Sequence, residues 1–336
     1  IPYFLLSTTS SLIQHWYGIL YQTESPYHLY ALSNTGSLTG LLTYPFIIEP
    51  LLAIEQQALI WSLLFIVYST GMLLLSGYIF IRSNPAVQTG EEKGKTAVST
   101  QQKLLWLLLA AVGSGILLST TNQLTQRVAN VPFLWVIPLT LYLCTFIFCF
   151  SGKKVYQKRF FSLLFLLSAA GLFIVLLYDY RIPFPAQLFV YAAYLFCGCM
   201  VMHGELYELR PERRVLTSFY LCIAVGGALG GFFVNFIAPI IFKGYGEFYL
   251  FMIAAGWYAI YIMMCGSTSS LRTEQRKKYL LTSLLFTFFV IASFRWIDQE
   301  MGKSIEQRRN FYGVLDIREH LHPELGPYRI MMHGKI

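Results

Sequence analysis

From Leu104 to Ile297 one unit repeats along the chain: an apolar run long enough to cross a bilayer, then a short turn that is alternately rich and poor in Lys and Arg. At 1.5 Å rise per residue, about 20 residues of helix traverse the hydrocarbon core. Nine such runs fall at residues 28–48, 56–81, 104–121, 131–150, 160–178, 186–202, 215–242, 247–265 and 279–297, and residues 1–20 read as a tenth, cut at its start. The pattern predicts an all-α multi-pass membrane bundle of about nine to ten transmembrane helices.

Two breaks in the pattern divide the chain. The first is a polar linker, residues 83–103, with Asn84, Pro85, Gly90, Glu91, Glu92, Lys93 and Gly94, which separates a first transmembrane group (1–82) from a second (104–297). After Asp298 the charges become evenly spread, and two β-like runs, 311–318 and 328–336, flank a His-Pro and Gly-Pro turn region. Residues 298–336 are predicted to be a β-rich stub that opens a soluble domain. The absence of an initiator Met and the stop at Ile336 right after a strand-like stretch mark the chain as an excerpt of a longer protein.

The turns supply an orientation. Arg82, Lys93, Lys95, Lys103, Lys153, Lys154, Lys158, Arg159, Arg210, Arg213, Arg214, Arg272, Arg276, Lys277 and Lys278 fall in one alternate set, and only Arg127, Arg181 and Lys243 in the other. Basic residues stay on the cytoplasmic side, so fifteen against three puts the first set inside. Nine crossings from His28 then carry everything after Asp298 to the outer face. That parity depends on every run crossing fully, including 279–297 with Arg295 near its end.

Composition agrees with a lipid medium. Charged residues are 12% and hydrophobic residues 56% of the chain, against roughly 25% charged in soluble domains, which leaves too few polar side chains to cover a water-facing surface. The bilayer is therefore the predicted partner. The net charge of +8 is explained by clusters between apolar runs, and no basic, aromatic-interleaved soluble segment exists for nucleic acid. All six cysteines lie in or beside apolar runs without Cys-x-x-Cys spacing and read as small buried residues, not metal ligands.

Ionisable residues at mid-span would mark an ion or proton path, and this chain has almost none. Glu49, before Pro50, is the best lone candidate; its alternative reading is a boundary carboxylate facing headgroups. The densest polar cluster runs from Met202 to Arg214. On a continuing helix Glu205 and Glu208 share a face with His203 roughly opposite, a spacing that could hold a cationic solute or a metal ion and that is also what a well-capped cytoplasmic turn looks like, its carboxylates pairing with neighbouring arginines. Asn122 and Gln123, in the stretch Thr120 to Gln126 before Pro132, Trp135 and Pro138, read either as an amide-lined, solute-facing end or as a structural kink. Asn34 and Asn235 are neutral groups able to bind a solute. His320 and His322 read as a solvated turn, and no cofactor or metal set is expected. Gly226/Gly230 and Gly227/Gly231 form a small-xxx-small stripe that predicts close helix packing, not a phosphate loop.

Several stretches together resemble one bacterial family, in which a major-facilitator-like bundle is fused to a spermidine-synthase-like (aminopropyltransferase-like) domain. They are residues 2–9, 29–34 continuing to Glu49-Pro50, 121–126 with Pro132 to Trp135, His203-Gly204-Glu205-Leu206 with Leu209-Arg210-Pro211, and 309–315. The likeness covers nearly the whole chain; Ser11 stands where such proteins would carry a proline. It implies a major-facilitator-like bundle in the bacterial cytoplasmic membrane and a synthase-like domain of which residues 309–336 are only the first strands. The glycine loop and acidic catalytic residues of that domain are not among these residues, so no catalysis is expected from this fragment alone. Three functions compete: the membrane portion of such a fused protein, handling a polyamine or related cation; a secondary transporter of the major-facilitator type; and a scaffold that transports nothing.

Overall fold

The computed structural model describes residues 2–21, 27–82, 98–127, 134–152, 155–178, 181–212, 215–265, 273–300, 303–310, 313–322 and 326–333. Most of the expected 83–103 linker lies outside these residues. Where described, each apolar run is helical, the form in which a segment long enough to cross a membrane satisfies its own N–H and C=O groups. The helices are α1 (Pro2–Tyr21), α2 (Tyr27–Thr43), α3 (Ile54–Arg82), α4 (Thr100–Arg127), α5 (Val136–Phe150), α6 (Lys158–Leu177), α7 (Phe184–Glu208), α8 (Leu216–Phe232), α9 (Gly246–Cys265) and α10 (Thr273–Glu300). Among the described residues seven of these segments are long and apolar enough to span a membrane, and α5 is a shorter apolar helix.

α2 and α8 share a local form. Each passes into a π-helical turn (Tyr44–Ile48 and Phe233–Ile237) and ends in a short helical piece (Glu49–Leu51 and Ala238–Ile241) whose second residue is a proline, Pro50 or Pro239. A proline ring clashes with the carbonyl four residues back, and a wider turn just before it relieves that clash. The two helices are six apart in chain order.

The core lies among α2 and α4–α9 and is built from aromatic and small residues, including Trp106, Phe150, Phe165, Tyr194 and Phe219, all fully buried. Its tightest seam joins α4 and α8. A Cβ on Gly226 would fall 2.4 Å from the Leu107 carbonyl oxygen, and one on Gly230 would fall 2.3 Å from that of Ala111. Only glycine permits backbones this close, so the predicted packing stripe is confirmed on its Gly226/Gly230 edge. Gly227 and Gly231 are looser, meeting the Ser114 hydroxyl at 3.2 Å and the Leu118 side chain at 3.5 Å. α3 is the opposite case: none of its apolar window is buried within the chain, although Tyr68 and Thr9 of α1 share a hydrogen bond.

The expected β-rich stub is a three-stranded antiparallel sheet, β1 (Lys303–Asn310), β2 (Gly313–His322) and β3 (Gly326–His333), in that order. Gly326 has φ +75°, a left-handed conformation that needs glycine, and the Asn310 side chain accepts the Gly313 N–H at 3.1 Å. Two sequence expectations change here. β1 was not anticipated, since its sequence alternates charges with little apolar signal, and His320 and His322 belong to β2 instead of a turn.

Candidate functional site

Where the seven sequence candidates fall is decided by helix direction. The Tyr27 hydroxyl donates to the Pro211 carbonyl (2.5 Å) and the Trp106 indole N–H to that of Leu209 (3.0 Å). The beginnings of α2 and α4 therefore meet the end of α7, and Glu49, Asn122 and Gln123 lie toward the far end of the bundle from Glu205. Glu49 is exposed; Asn34 is half-buried and donates to the Tyr30 carbonyl (2.8 Å); Asn122 is half-buried and Gln123 buried. α4 runs through this polar stretch without a break, with Thr121 and Thr125 bonded to the carbonyls of Leu117 and Thr121, and Pro138 sits in the first turn of α5. Neither disturbs a helix interior. The candidates are thus distributed and do not converge on one recess.

Glu205 and Glu208 do share a partner. Glu205 is 5% exposed, and Lys158, at the first residue of α6, places its Nζ 3.2 Å from Glu205 Oε1 and 3.9 Å from Glu208 Oε2. The Tyr156 hydroxyl donates to Glu205 Oε1 (3.1 Å) and the Tyr258 hydroxyl, from α9, to Oε2 (3.2 Å). Tyr156 is seated by Gly204, where a Cβ would lie 2.4 Å from its ring. Burial and then the Glu205 carboxylate push the Tyr156 phenol well above its ordinary value, so it remains a donor. Among the described residues the carboxylate is thus held by an exposed lysine and two tyrosines; Arg213 and Arg214 of the turn reading lie outside the described residues. Arg210 instead lies over the Tyr207 ring at 3.9 Å and donates to its carbonyl.

His203 points elsewhere. Fully buried, it stacks on Phe146 (3.6 Å) and meets Tyr142 edge-on (4.8 Å). Thr145 Oγ1 is 2.7 Å from the Tyr142 carbonyl and 2.8 Å from His203 Nδ1. A threonine has one proton to give, and the carbonyl can only accept it, so His203 Nδ1 carries a proton toward Thr145. Nε2, with no hydrogen-bond partner among the described residues, is turned toward Gly113.

A fully buried charge pair lies at the other end of the bundle and was not anticipated. Glu247, in the first turn of α9, is 0% exposed, and Arg309 of β1 is 5% exposed. Arg309 donates both Nη1 (2.8 Å) and Nη2 (2.7 Å) to the carboxylate, gives a further bond to the Gly244 carbonyl (2.5 Å), and lies 4.7 Å over the Tyr245 ring. A bidentate fork at a helix N-terminus satisfies the anion by direct bonds and by the helix dipole. Burial pushes the Tyr245 phenol up to about 12, against the lowering pull of Arg309. Within the sheet Asp316 accepts from Ser304 Oγ (2.6 Å) and Arg318 Nε (2.6 Å), and Arg318 is buried. The sequence signal for the larger pair was a lone acid at a span boundary and an arginine 62 residues later.

Among the described residues no cluster of three or more His, Cys, Asp and Glu side chains is arranged to hold a metal ion. No protein-family model, curated protein or solved structure matches this chain. The chain is a largely helical protein in which, among the described residues, seven helices are long and apolar enough to cross a membrane, and it carries a small antiparallel sheet.

Proposed function

We propose that this chain is the membrane portion of a larger integral membrane protein, and that it holds an extramembrane domain in a fixed pose against one end of the bundle. The observation that carries this reading is the buried Arg309–Glu247 fork. A flexible tether would need no buried bidentate pair between the sheet and the first turn of a membrane helix, because burying two charges is costly unless the geometry is fixed. The resemblance makes the attached domain aminopropyltransferase-like and the membrane a bacterial cytoplasmic one, with the basic turns inside and the sheet outside. The turn holding Lys243 lies against the sheet, which agrees with that orientation. The matching π turns of α2 and α8, six helices apart, support a major-facilitator-like bundle of two parallel repeats. A reporter that is active only outside the cytoplasm, joined after Gly302, tests the placement. Activity of a cytoplasm-only reporter at the same junction would reverse it.

A second reading, a transporter for a small cation such as a polyamine, is favoured by one observation: the buried carboxylate of Glu205. It predicts saturable uptake of a radiolabelled amine into vesicles, lost on Glu205→Gln. Absence of saturable uptake leaves the scaffold reading alone, and uptake unaltered by that change removes Glu205 from the transport path.

A further inference from the structure

β3 is an edge strand: β2 pairs with one side of it, and among the described residues no strand pairs with the other. Alternate backbone N–H and C=O groups along Gly326–His333 therefore face outward, able to take a further strand. The two edges of the sheet are not alike. β1 is blunted by a bulge between Ser304 and Glu306 and by the charged side chains of Lys303, Glu306, Arg308 and Arg309, devices that keep a strand from pairing with its neighbours. β3 runs in unbroken register with β2, and from Pro327 to Met332 its one charged side chain is Arg329, followed by the apolar Ile330 and Met331. We propose that β3 pairs antiparallel with β3 of a second copy of this chain, joining two three-stranded sheets into one of six strands across a two-fold axis.

Three features point to a second copy as the occupant. The first is placement. The face of the sheet that carries Gln307, Arg309 and Val314 packs on the turn before α9, where Arg309 bonds the Gly244 carbonyl and Glu247, and a Cβ on Gly244 would lie 3.4 Å from the Gln307 side chain. On β2 that face is buried through Val314, Asp316 and Arg318, whereas Ile330, opposite Arg318 on β3, is 37% exposed. The sheet thus lies across the end of the bundle, with β3 leading away from the contact. The second is symmetry. When two copies share one antiparallel sheet, their two-fold axis stands perpendicular to it, and here that perpendicular runs into the end of the bundle. Copies related in this way point their bundles in the same direction, as two copies inserted in one membrane must, and the Arg309–Glu247 fork holds both edges at one height. The third is self-complementarity. With the axis at Ile330, Ile330 meets Ile330 and Arg329 meets Met331, so no like charges stand opposite. The pairing goes beyond the scaffold reading and requires only that the sheet sit at the end of the bundle, whatever domain is attached.

The test uses the full chain in detergent micelles, with the detergent-corrected mass from sedimentation as the readout. Wild type sediments at the mass of two chains. Ile330→Lys removes an apolar pair and sets two like charges opposite each other, which weakens association about tenfold, while Ile305→Lys on β1 leaves it unchanged. A disulfide comparison supplies a second measurement. Directly opposed residues of an antiparallel pair stand about 4.5–5.5 Å apart at Cα, within reach of a disulfide, so mild oxidation with copper phenanthroline links Ile330→Cys into a covalent dimer and leaves wild type and Ile305→Cys unlinked. Should Ile330→Lys fail to accumulate, the cysteine comparison decides alone. Wild type at the mass of one chain across the micromolar range, Ile330→Lys associating as tightly as wild type, or Ile330→Cys linking no better than Ile305→Cys overturns the proposal. A cytoplasmic result from the reporter at Gly302 would invert both copies together and leave this pairing intact, so the two readings fail separately.

Discussion

Replacing Arg309 by methionine removes three hydrogen bonds at once, two to Glu247 and one to the Gly244 carbonyl, and leaves a fully buried carboxylate with no counter-charge. Methionine keeps most of the apolar stem, so the loss is chiefly electrostatic. Breaking a buried pair from one side costs about 3–5 kcal/mol, since the surviving ion keeps its desolvation cost without its partner. A change of about 4 kcal/mol shifts the docking equilibrium of the sheet roughly a thousandfold. Replacing both partners, Arg309→Met with Glu247→Leu, removes both desolvation costs and should return most of that stability. Hydrogen exchange of residues 303–310 in micelles reads the opening of β1 directly. The single variant should exchange faster by a factor approaching a thousand, with the double variant much closer to wild type. Exchange in Arg309→Met equal to wild type, or a double variant as labile as the single, would show that the fork does not hold the sheet.

Other outcomes follow from the packing and the titrating groups. Gly226→Ala and Gly230→Ala each drive a methyl into a backbone carbonyl of α4 and should cost about 1–3 kcal/mol, whereas Gly231→Ala should change stability by less than about 0.5 kcal/mol; thermal unfolding in micelles compares them. Tyr245 has its pKa raised in the folded protein from 10.0 to about 12, so its contribution is complete below pH 10 and is lost as pH climbs toward about 12. Stability followed by near-ultraviolet circular dichroism should fall over that window, and the fall should be smaller in Tyr245→Phe. Thr145→Val leaves the His203 Nδ1 proton without its acceptor in a fully buried position and should cost about 1–3 kcal/mol, again read by thermal unfolding.

The helices were legible because lipid imposes a length and an apolar composition that no other constraint in the chain competes with. The run 279–297, doubtful for its Arg295, is part of the continuous helix Thr273–Glu300. The glycine stripe was legible for a similar reason: Gly226 and Gly230 at four-residue spacing have few uses inside an apolar run besides close approach. β1 was hidden because half of the positions from Lys303 to Asn310 carry charge, and its strand character comes from pairing with β2 and not from its own pattern. The charge pairs were hidden by distance in sequence. Lys158 counted only as one more basic residue of a cytoplasmic turn, and nothing local shows that it bends back to an acid on α7. Glu205 was singled out for its spacing with Glu208, yet what fixes it is two tyrosines, one of them 53 residues further on.

α9 bears Glu247 in its first turn and, eleven residues later, Tyr258, which grips Glu205. At 1.5 Å per residue these two handles stand about 16 Å apart on one unbroken rod. Any force that tilts the sheet is therefore a torque on α9, delivered without intermediate joints to the hydroxyl that clasps the Glu205 carboxylate.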